Sequence, residues 1–423
     1  MILQYRDREH ELVAASHICQ YWRSALISDP SLWTSIYLGS YSEDNRALMY
    51  LERSNPVTID VRITRNHPPS QQMLQHLATN IPRTRSLVID AFNAEFISSL
   101  LLCNPVPSLE HLEMHTHQCP VNTLGNLLGQ QAPSLRSVVF NGSCPLLRSS
   151  QKFPLPSLTK LDLRLPKGLD LLRISLLLRL CSSCPRLQNI SIRTSCSILS
   201  DNALGKVISL NSLVELTYLC EAPGKFIPFL NLPRLEKLSV ISPWKTGTVD
   251  SLGDLLPHSG HLFLSGTTSV SYLHKKNIQI IKLSGERINA SFTIKWDNLT
   301  RLPHSFLWGA WIPFGQIEDL EFWGEFVPSY YPIYLFKCAR TLRTSPHCGP
   351  LIFQSLHRQP GAGIPCPSLR RIETNFLSLE GPTMRSLTNL VKEREHAGHH
   401  VELVGLQVSE KIDLELAEEL GGM

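Results

Sequence analysis

The sequence has little net charge, no long apolar run and no secretion signal, and each absence excludes a class of protein. Its 40 Lys and Arg against 36 Asp and Glu leave a net charge of +4, too small to indicate a nucleic-acid or membrane-surface protein. The most apolar stretch, 169–180, is short and carries charged residues, so no transmembrane helix is predicted. The first ten residues are too charged for a signal peptide. We expect a cytoplasmic or nuclear protein that contacts neither nucleic acid nor membrane.

Motifs for catalysis, metal binding and cofactor binding are also missing. The sequence contains no GxxxxGK[ST], HExxH or GxSxG, and its CxxC at Cys181–Cys184 has no second pair. The histidines at 115–117 and 396–400 lack further ligands at zinc spacing, and Gly398 is typical of a helix C-cap. Eleven cysteines, an odd number, suit reduced thiols better than a disulfide framework. We expect no enzyme activity, no metal ion and no cofactor.

What the sequence does contain is a repeated octapeptide, Pro-(Ser/Arg)-Leu-x-x-(apolar)-x-(apolar). Its copies begin at Pro107, Pro133, Pro156, Pro185 and Pro233, and one that lacks the proline begins at Asn211. The leucines of these copies are about 25 residues apart on average, inside the range of leucine-rich repeats. Each proline stops the preceding helix, and the alternating apolar residues predict a short strand with one face on a shared core.

Strands and helical patterns alternate at the length of the repeat. Helical patterns at 97–102, 122–128 and 169–180 lie between successive copies, and weaker copies begin at 82, 277, 316 and 367. We therefore predict an α/β fold, an irregular leucine-rich-repeat solenoid over residues 57–407. No Asn or Cys ladder follows the strands, and irregularity is expected to be greatest in 243–366. Residues 1–56 are predicted to be a small helical segment, and 408–423 an acidic C-terminal tail.

The N-terminal segment has its own apolar pattern. Leu12, Ile18, Trp22 and Leu26 fall near helical spacing, and Asp29-Pro30 ends that helix and starts a short turn. Ser42 is predicted to cap a second helix, after which residues 57–63 alternate as a half-buried strand.

Residues 12–36 resemble the second half of an F-box. Residues 50–54 and 57–61 resemble the next stretch of fungal F-box-like proteins with leucine-rich repeats, and 387–394 and 400–404 resemble their last helix and strand. The resemblance implies a substrate-recognition adaptor of an SCF-type (cullin-RING) ubiquitin ligase. In such a protein the F-box docks on the Skp-type linker, which joins the cullin, and the repeats bind a protein substrate.

The resemblance also implies which residues dock on the linker. The apolar and Trp positions of the F-box pattern are matched by Leu12, Ile18, Trp22, Leu32 and Trp33, and its basic position by Arg23. Either Trp could instead be an ordinary core residue. Because no Leu-Pro-x-Glu-like first helix precedes residue 12, the alternative is a leucine-rich-repeat protein-binding module that has lost ligase docking.

The residues between the apolar positions of each copy must face away from the core. These predicted substrate-binding residues are His111, Glu113, Lys160, Asp162, Arg164, Asn189, Arg193, Glu215 and Lys237. Arg164 and Arg193 occupy the same position in neighbouring copies and could together receive an acidic or phosphorylated segment. The alternative is that two exposed arginines only keep the surface soluble.

Overall fold

The structure is a computed structural model, and all statements below concern the residues that it describes. These are 14–39, 44–64, 70–90, 105–116, 132–142, 155–165, 172–194, 198–199, 207–219, 226–244, 256–257, 264, 266–275, 278–286, 288–296, 314–324, 333–345, 347–357, 364–374 and 381–405. The fold is mixed α/β with a large parallel sheet component, which confirms the predicted class. The chain divides into two compact units, Met1–Arg234 and Leu235–Met423.

The first unit is built on a parallel sheet. Its strands are β1 (Ser35–Leu38), β2 (Ile59–Ile63), β3 (Thr84–Asp90), β4 (His111–Thr116), β5 (Ser137–Gly142), β6 (Lys160–Leu165), β7 (Leu172–Arg173), β8 (Asn189–Thr194), β9 (Ile198–Leu199), β10 (Ile208–Ser209), β11 (Glu215–Leu219) and β12 (Leu230–Asn231). The sheet order is β1-β2-β3-β4-β5-β6-β8-β11, all parallel. Two short parallel pairs, β7 with β9 and β10 with β12, lie apart from it.

Helices flank these strands in the first unit. They are α1 (Gln20–Ser28), α2 (Asp44–Arg53), α3 (Gln71–Asn80) and α4 (Ile174–Ser182), with 3-10 turns at Pro30–Trp33, Ile81–Arg83 and Ile227–Phe229. Helix α4 overlaps the helical pattern predicted at 169–180, beginning later and extending to Ser182, and it ends before Pro185, as expected of a helix that precedes a repeat proline. The predicted helices at 97–102 and 122–128 lie outside the described residues.

The second unit mixes parallel and antiparallel pairing. Its strands are β13 (Lys237–Trp244), β14 (Ser269–Lys275), β15 (Ile278–Gly285), β16 (Ile288–Trp296), β17 (Asp319–Gly324), β18 (Thr341–Thr344), β19 (Arg371–Thr374) and β20 (Glu402–Gly405). They lie in the order β13-β16-β15-β14-β17-β18-β19-β20. Strand β15 pairs antiparallel with β14 and β16, and the remaining pairs are parallel. These antiparallel strands fall in 243–366, where the sequence predicts irregular repeats.

Two helices complete the second unit, α5 (Gly349–Leu356) and α6 (Gly381–His396), with a 3-10 turn at Ile333–Leu335. Helix α6 ends as the sequence predicts, because Gly398 has a positive φ of 82°. The N–H of His399 donates to the Arg394 carbonyl at 2.8 Å, and that of Gly398 to Glu395 at 2.9 Å. This is a Schellman C-cap, and it turns the chain into β20.

The repeat motif forms a tight turn that enters each strand. At Pro107, Pro133, Pro156 and Pro185 the leucine N–H of the motif donates to the carbonyl before the proline, at 3.1 to 3.3 Å. The fixed φ of proline suits the second position of such a turn. The next two N–H groups then donate to the neighbouring copy, as Arg136 and Ser137 do to the Glu110 carbonyl. The same position of each copy therefore lies side by side in the sheet.

Alternate residues of these strands form the core. The motif leucines are buried, and so are two further apolar residues of each strand, such as Leu112 with Met114, and Leu161 with Leu163. Each such side chain contributes about 1.5–3 kcal/mol on burial. The intervening residues lie on the opposite face of the sheet, which is mostly polar. Among the helices in the described part of the chain, none combines the length and apolar character that a bilayer crossing requires.

The N-terminal segment departs from the predicted single helix. A turn at His17–Ile18 precedes α1, which begins after Cys19, whose Sγ accepts the Trp22 N–H at 3.5 Å. Asp29 then accepts from the N–H of Ser31 at 3.0 Å, and Pro30 starts the short 3-10 turn as predicted. The predicted cap Ser42 lies outside the described residues. The result is a short helix where one longer amphipathic helix was expected.

Candidate functional site

The N-terminal segment, formed by α1 and the turn before it, exposes unusually many apolar side chains. Ile18, Tyr21, Trp22 and Ile27 are 69%, 80%, 51% and 43% exposed, and we name these four residues the N-terminal apolar patch. They are four of the seven large apolar side chains found exposed in the described residues. Leu26 is the only buried residue of α1. Apolar side chains gathered in one exposed segment are typical of an interaction surface.

The six predicted adaptor-binding residues fall into different environments. Ile18 and Trp22 belong to the patch, and Arg23 is also exposed, with its Nε donating to the Ser16 carbonyl at 3.0 Å. Leu32 is half-buried, and Leu12 lies outside the described residues. For Trp22, exposure favours the contact interpretation over the core interpretation that the sequence left open.

Trp33 is a core residue. Its side chain is completely buried, and its indole N–H donates to the Leu26 carbonyl at 2.8 Å. The ring meets Tyr50 edge-on at 5.0 Å, and the Arg53 guanidinium lies 4.5 Å from its centre. Of the two interpretations of Trp33, burial favours the core: this side chain joins the end of α1 to α2 and is not accessible to a partner.

The polar face of the first sheet carries the second candidate surface. Strands β4, β5, β6, β8 and β11 align its residues in three rows, which together we name the polar face. The first row is His111, Ser137, Lys160, Asn189 and Glu215; the second is Glu113, Val139, Asp162, Ser191 and Thr217; the third is His115, Asn141, Arg164, Arg193 and Leu219. Neighbours within a row are about 4.8 Å apart in the sheet. Eight of the nine predicted substrate-binding residues therefore share one surface. The ninth, Lys237, begins β13 in the second unit.

A carboxylate between two histidines lies on the polar face at β4. Glu113 is 2.6 Å from Nε2 of His115 and 3.6 Å from Nε2 of His111. The Asn141 amide lies 3.2 Å from Nδ1 of His115. The contacts with His111 and then His115 lower the pKa of Glu113 from 4.5 to about 2, against the effect of its partial burial. The carboxylate thus remains ionised over the whole physiological range.

Replacing Glu113 by Gln is expected to lower the stability of the fold by an amount that depends on pH. A lowered pKa stabilises the fold above the unfolded-state value of 4.5, and this contribution is lost as the pH falls toward 2. The difference in unfolding midpoint between the wild type and E113Q should therefore be larger at pH 6 than at pH 3. Urea titrations of both proteins at the two pH values measure it. A difference that stays constant or grows on acidification would contradict this assignment.

Asp162 and Arg164 form a tight pair on β6. Nε and Nη2 of Arg164 donate to Oδ2 of Asp162 at 3.1 and 2.8 Å, and Asp162 is only 7% exposed. Only the carboxylate of this pair is buried, since the Arg164 side chain is 43% exposed, and removing Arg164 would leave that carboxylate without its ion-pair partner. Arg164 is therefore needed to neutralise Asp162, and its guanidinium is held in one orientation.

Two cations on the same face have no such partner. Arg193 and Lys160 are exposed, and among the described residues neither makes an ion pair or a side-chain hydrogen bond. Asn189 and Glu215 are instead joined to each other, at 2.8 Å between Nδ2 and Oε2. The positive charge of Arg193 is thus uncompensated beside the fixed Arg164, which is its register neighbour.

The second unit contains an ion-pair network that sequence reasoning missed. Arg343 lies between Glu321 and Glu373, each 2.7 Å away, and Arg371 is 2.6 Å from Glu373. Hydrogen bonds to Glu321 and then Glu373 raise the pKa of Arg343. The only sequence signal is the alternation of charges in the weaker copies beginning at 316 and 367. Opposite charges balance here, so the network carries no net charge for a ligand.

Three side chains at α5 and α6 have the connectivity of a hydrolytic triad. His357 Nδ1 is 2.8 Å from Oε2 of Glu393, and its Nε2 is 3.3 Å from Oγ of Ser386. Sequence reasoning missed them because they are far apart in the chain. Ser386 lies inside α6, where its N–H belongs to the helix ladder and cannot stabilise an oxyanion as in a hydrolase. We interpret the contacts as a link between the end of α5 and α6.

The described cysteines offer neither a disulfide nor a reactive thiol pair. All six are free, and Cys184 Sγ donates to the Leu180 carbonyl at 3.2 Å. Burial raises the pKa of Cys181 to about 12 and also raises that of Cys184, so both remain thiols at neutral pH. Within the described ranges, no group of three His, Cys, Asp or Glu residues is arranged to hold a metal ion.

Comparison with known proteins adds no assignment to these surfaces. No protein-family model matches the chain. A search of curated proteins finds no match either. The function is therefore argued from the two surfaces themselves.

Proposed function

We propose that the protein is a substrate-recognition adaptor of an SCF-type cullin-RING ubiquitin ligase, without catalysis of its own. In this proposal the N-terminal apolar patch docks on the Skp-type linker, through which the protein joins the cullin. The observation that carries the proposal is the exposure of Ile18 and Trp22. Both occupy positions that the F-box resemblance assigns to the adaptor contact, and exposed Trp is favoured at binding hot spots.

The repeats support the second half of the proposal. We infer that the parallel strands belong to an irregular leucine-rich-repeat solenoid, because each copy enters its strand through the same turn and keeps the same register. The polar face of such an array would hold a protein substrate. Its mixed charge and its lack of aromatic residues in the three rows suit a polar protein segment.

Docking is tested by pull-down of purified protein with the Skp-type linker and cullin. We expect the wild type to bind and the double variant I18A/W22A to bind at least about tenfold more weakly, since hot-spot residues each contribute 2 kcal/mol or more. Because both side chains are exposed, thermal stability should not change. L403A, which removes a 41% exposed leucine of β20, is the matched control and should bind like the wild type.

The same measurement separates the proposal from its rival. If the wild type fails to bind the linker, the protein is better described as a leucine-rich-repeat binding module without ligase docking. Binding that persists unchanged in I18A/W22A would also contradict the proposal, since the patch would then not be the docking surface.

A further inference from the structure

We propose that Arg193, with Arg164 beside it, binds an acidic or phosphorylated segment of a partner protein. The inference rests on the proposed function for the view that this partner is a ligase substrate. The binding itself does not depend on ligase docking and can be measured without it.

The two arginines are brought together by the sheet register. Arg164 of β6 and Arg193 of β8 are direct register partners. Each is the last but one residue of its strand. Neighbouring parallel strands place them about 4.8 Å apart in the backbone. Asn141 of β5 continues the same row on the other side of Arg164. Hydrogen-bond donors from three adjacent strands therefore lie in one line.

Arg164 is oriented for binding by Asp162. The carboxylate takes Nε–H and one N–H of Nη2, which leaves the other guanidinium N–H groups for a ligand. The side chain of Arg164 is still 43% exposed, whereas that of Asp162 is 9% exposed. Because the arginine is already held, little conformational freedom is lost when an anion binds. Arg164 is thus a fixed donor that is itself needed for stability.

Arg193 supplies the charge that is not neutralised. It is exposed and has no ion-pair partner in the described part of the chain, and Lys160 on the same face is in the same state. Arg164 and Asp162 cancel each other, so the excess positive charge on β6 and β8 comes from Arg193 and Lys160. An anion beside Arg193 would meet charge-assisted donors from Arg193 and from the free N–H groups of Arg164.

The composition of the polar face favours a peptide over a nucleic acid. Glu113, Asp162 and Glu215 lie on the same face and would repel an extended phosphate backbone. The three rows contain no Phe, Tyr or Trp on which bases could stack. One or two anionic groups fit the pair of arginines, and phosphoserine, with its higher charge and three acceptor oxygens, fits better than a carboxylate.

The test uses fluorescent ten-residue peptide pools, randomised except for two central residues that are phosphoserine, glutamate or serine. Binding to the full chain is measured by fluorescence anisotropy. We expect the strongest binding for phosphoserine, weaker binding for glutamate and the weakest for serine. R193A should weaken phosphoserine binding about tenfold, the effect of one charge-assisted contact. R186A, which removes another exposed arginine of the first unit, is the control and should have no effect.

Arg193 is chosen because its replacement leaves the Asp162–Arg164 ion pair intact. R164A would instead leave the buried Asp162 carboxylate without its ion-pair partner and would destabilise the fold. Unchanged thermal unfolding of R193A confirms that the fold is intact. Equal losses in R193A and R186A, or equal binding of all three pools, would overturn the proposal. Tighter, Arg193-dependent binding of a single-stranded oligonucleotide would also overturn it in favour of a nucleic acid. If the protein fails to bind the linker but still binds phosphoserine peptides selectively, the adaptor function is refuted and the peptide-binding proposal stands.

Discussion

Replacing Trp33 by alanine is expected to lower the free energy of unfolding by about 3–5 kcal/mol, the range found for large aromatic side chains removed from a core. The side chain is completely buried, and it contacts Tyr50 edge-on. Its loss would leave a cavity between α1 and α2 and would also leave the Leu26 carbonyl without its indole donor. Both effects act in the same direction, which is why the expected change is large.

Urea unfolding followed by circular dichroism measures this change, and Trp22 is the internal control. Because Trp22 is half-exposed, W22A should change stability by less than about 0.5 kcal/mol, as most surface substitutions do. W33F keeps most of the buried area but loses the N–H bond, so it should fall between the wild type and W33A. Similar effects of W22A and W33A would mean that burial does not distinguish the two tryptophans.

The contrast bears directly on the adaptor proposal. The F-box resemblance predicts linker contact for both Trp22 and Trp33, yet Trp33 is completely buried whereas Trp22 is exposed to solvent. We expect W33A to weaken linker docking only through the loss of folded protein. W22A should weaken docking while the protein remains folded.

The strands of the repeat could be predicted because their signals are local. A proline at the second position of a tight turn, followed by alternating apolar residues, specifies both where a strand starts and which face it buries. Leu109, Leu112 and Met114 illustrate this, since all three are buried as the alternation requires. The same alternation placed Glu113 and Asp162 on the opposite face. The residues of the polar face could therefore be identified from the sequence, but the side-chain contacts between them could not.

The contacts could not be predicted because they depend on long-range geometry. The motif does not show that Arg164 is bound to Asp162 while Arg193 has no ion-pair partner among the residues that the structure describes, although both arginines hold the same position in their copies. The antiparallel pairing of β15 with β14 and β16 was also missed, although a strand beginning near 277 was predicted. The sequences of these three strands are apolar and β-branched like those of the parallel strands, and only the pairing partners differ.

Arg394 is the clearest case of a residue whose role only the fold reveals, because in the sequence it looks like an exposed helical charge. It lies in α6 and is 1% exposed. Its Nη1 donates to the Cys366 carbonyl at 3.1 Å, and its Nη2 donates to the Pro365 carbonyl. Burial lowers the pKa of Arg394, but the guanidinium remains protonated at neutral pH.

The carbonyls that Arg394 holds belong to the turn that enters β19. The Leu369 N–H donates to the Cys366 carbonyl at 3.0 Å, and Cys366 has a positive φ of 46°, a conformation that is unfavourable for a residue with a side chain. Cys366 Sγ also donates to the Ile333 carbonyl at 3.1 Å. Arg394 of α6 thus stabilises the strained turn at Cys366 through its hydrogen bonds to the Pro365 and Cys366 carbonyls.

Replacing Arg394 by alanine is therefore expected to cost about 3–5 kcal/mol, because two buried carbonyls lose charged donors and a long buried side chain is removed. Urea unfolding monitored by circular dichroism measures the loss. K392A, which removes an exposed lysine from the same helix, should change stability by less than about 0.5 kcal/mol. R394K keeps the charge but cannot donate to both carbonyls from one planar group. Its free energy of unfolding should therefore lie between those of the wild type and R394A. A cost below about 1 kcal/mol for R394A would show that water replaces the guanidinium at these carbonyls and that the turn keeps its geometry without it.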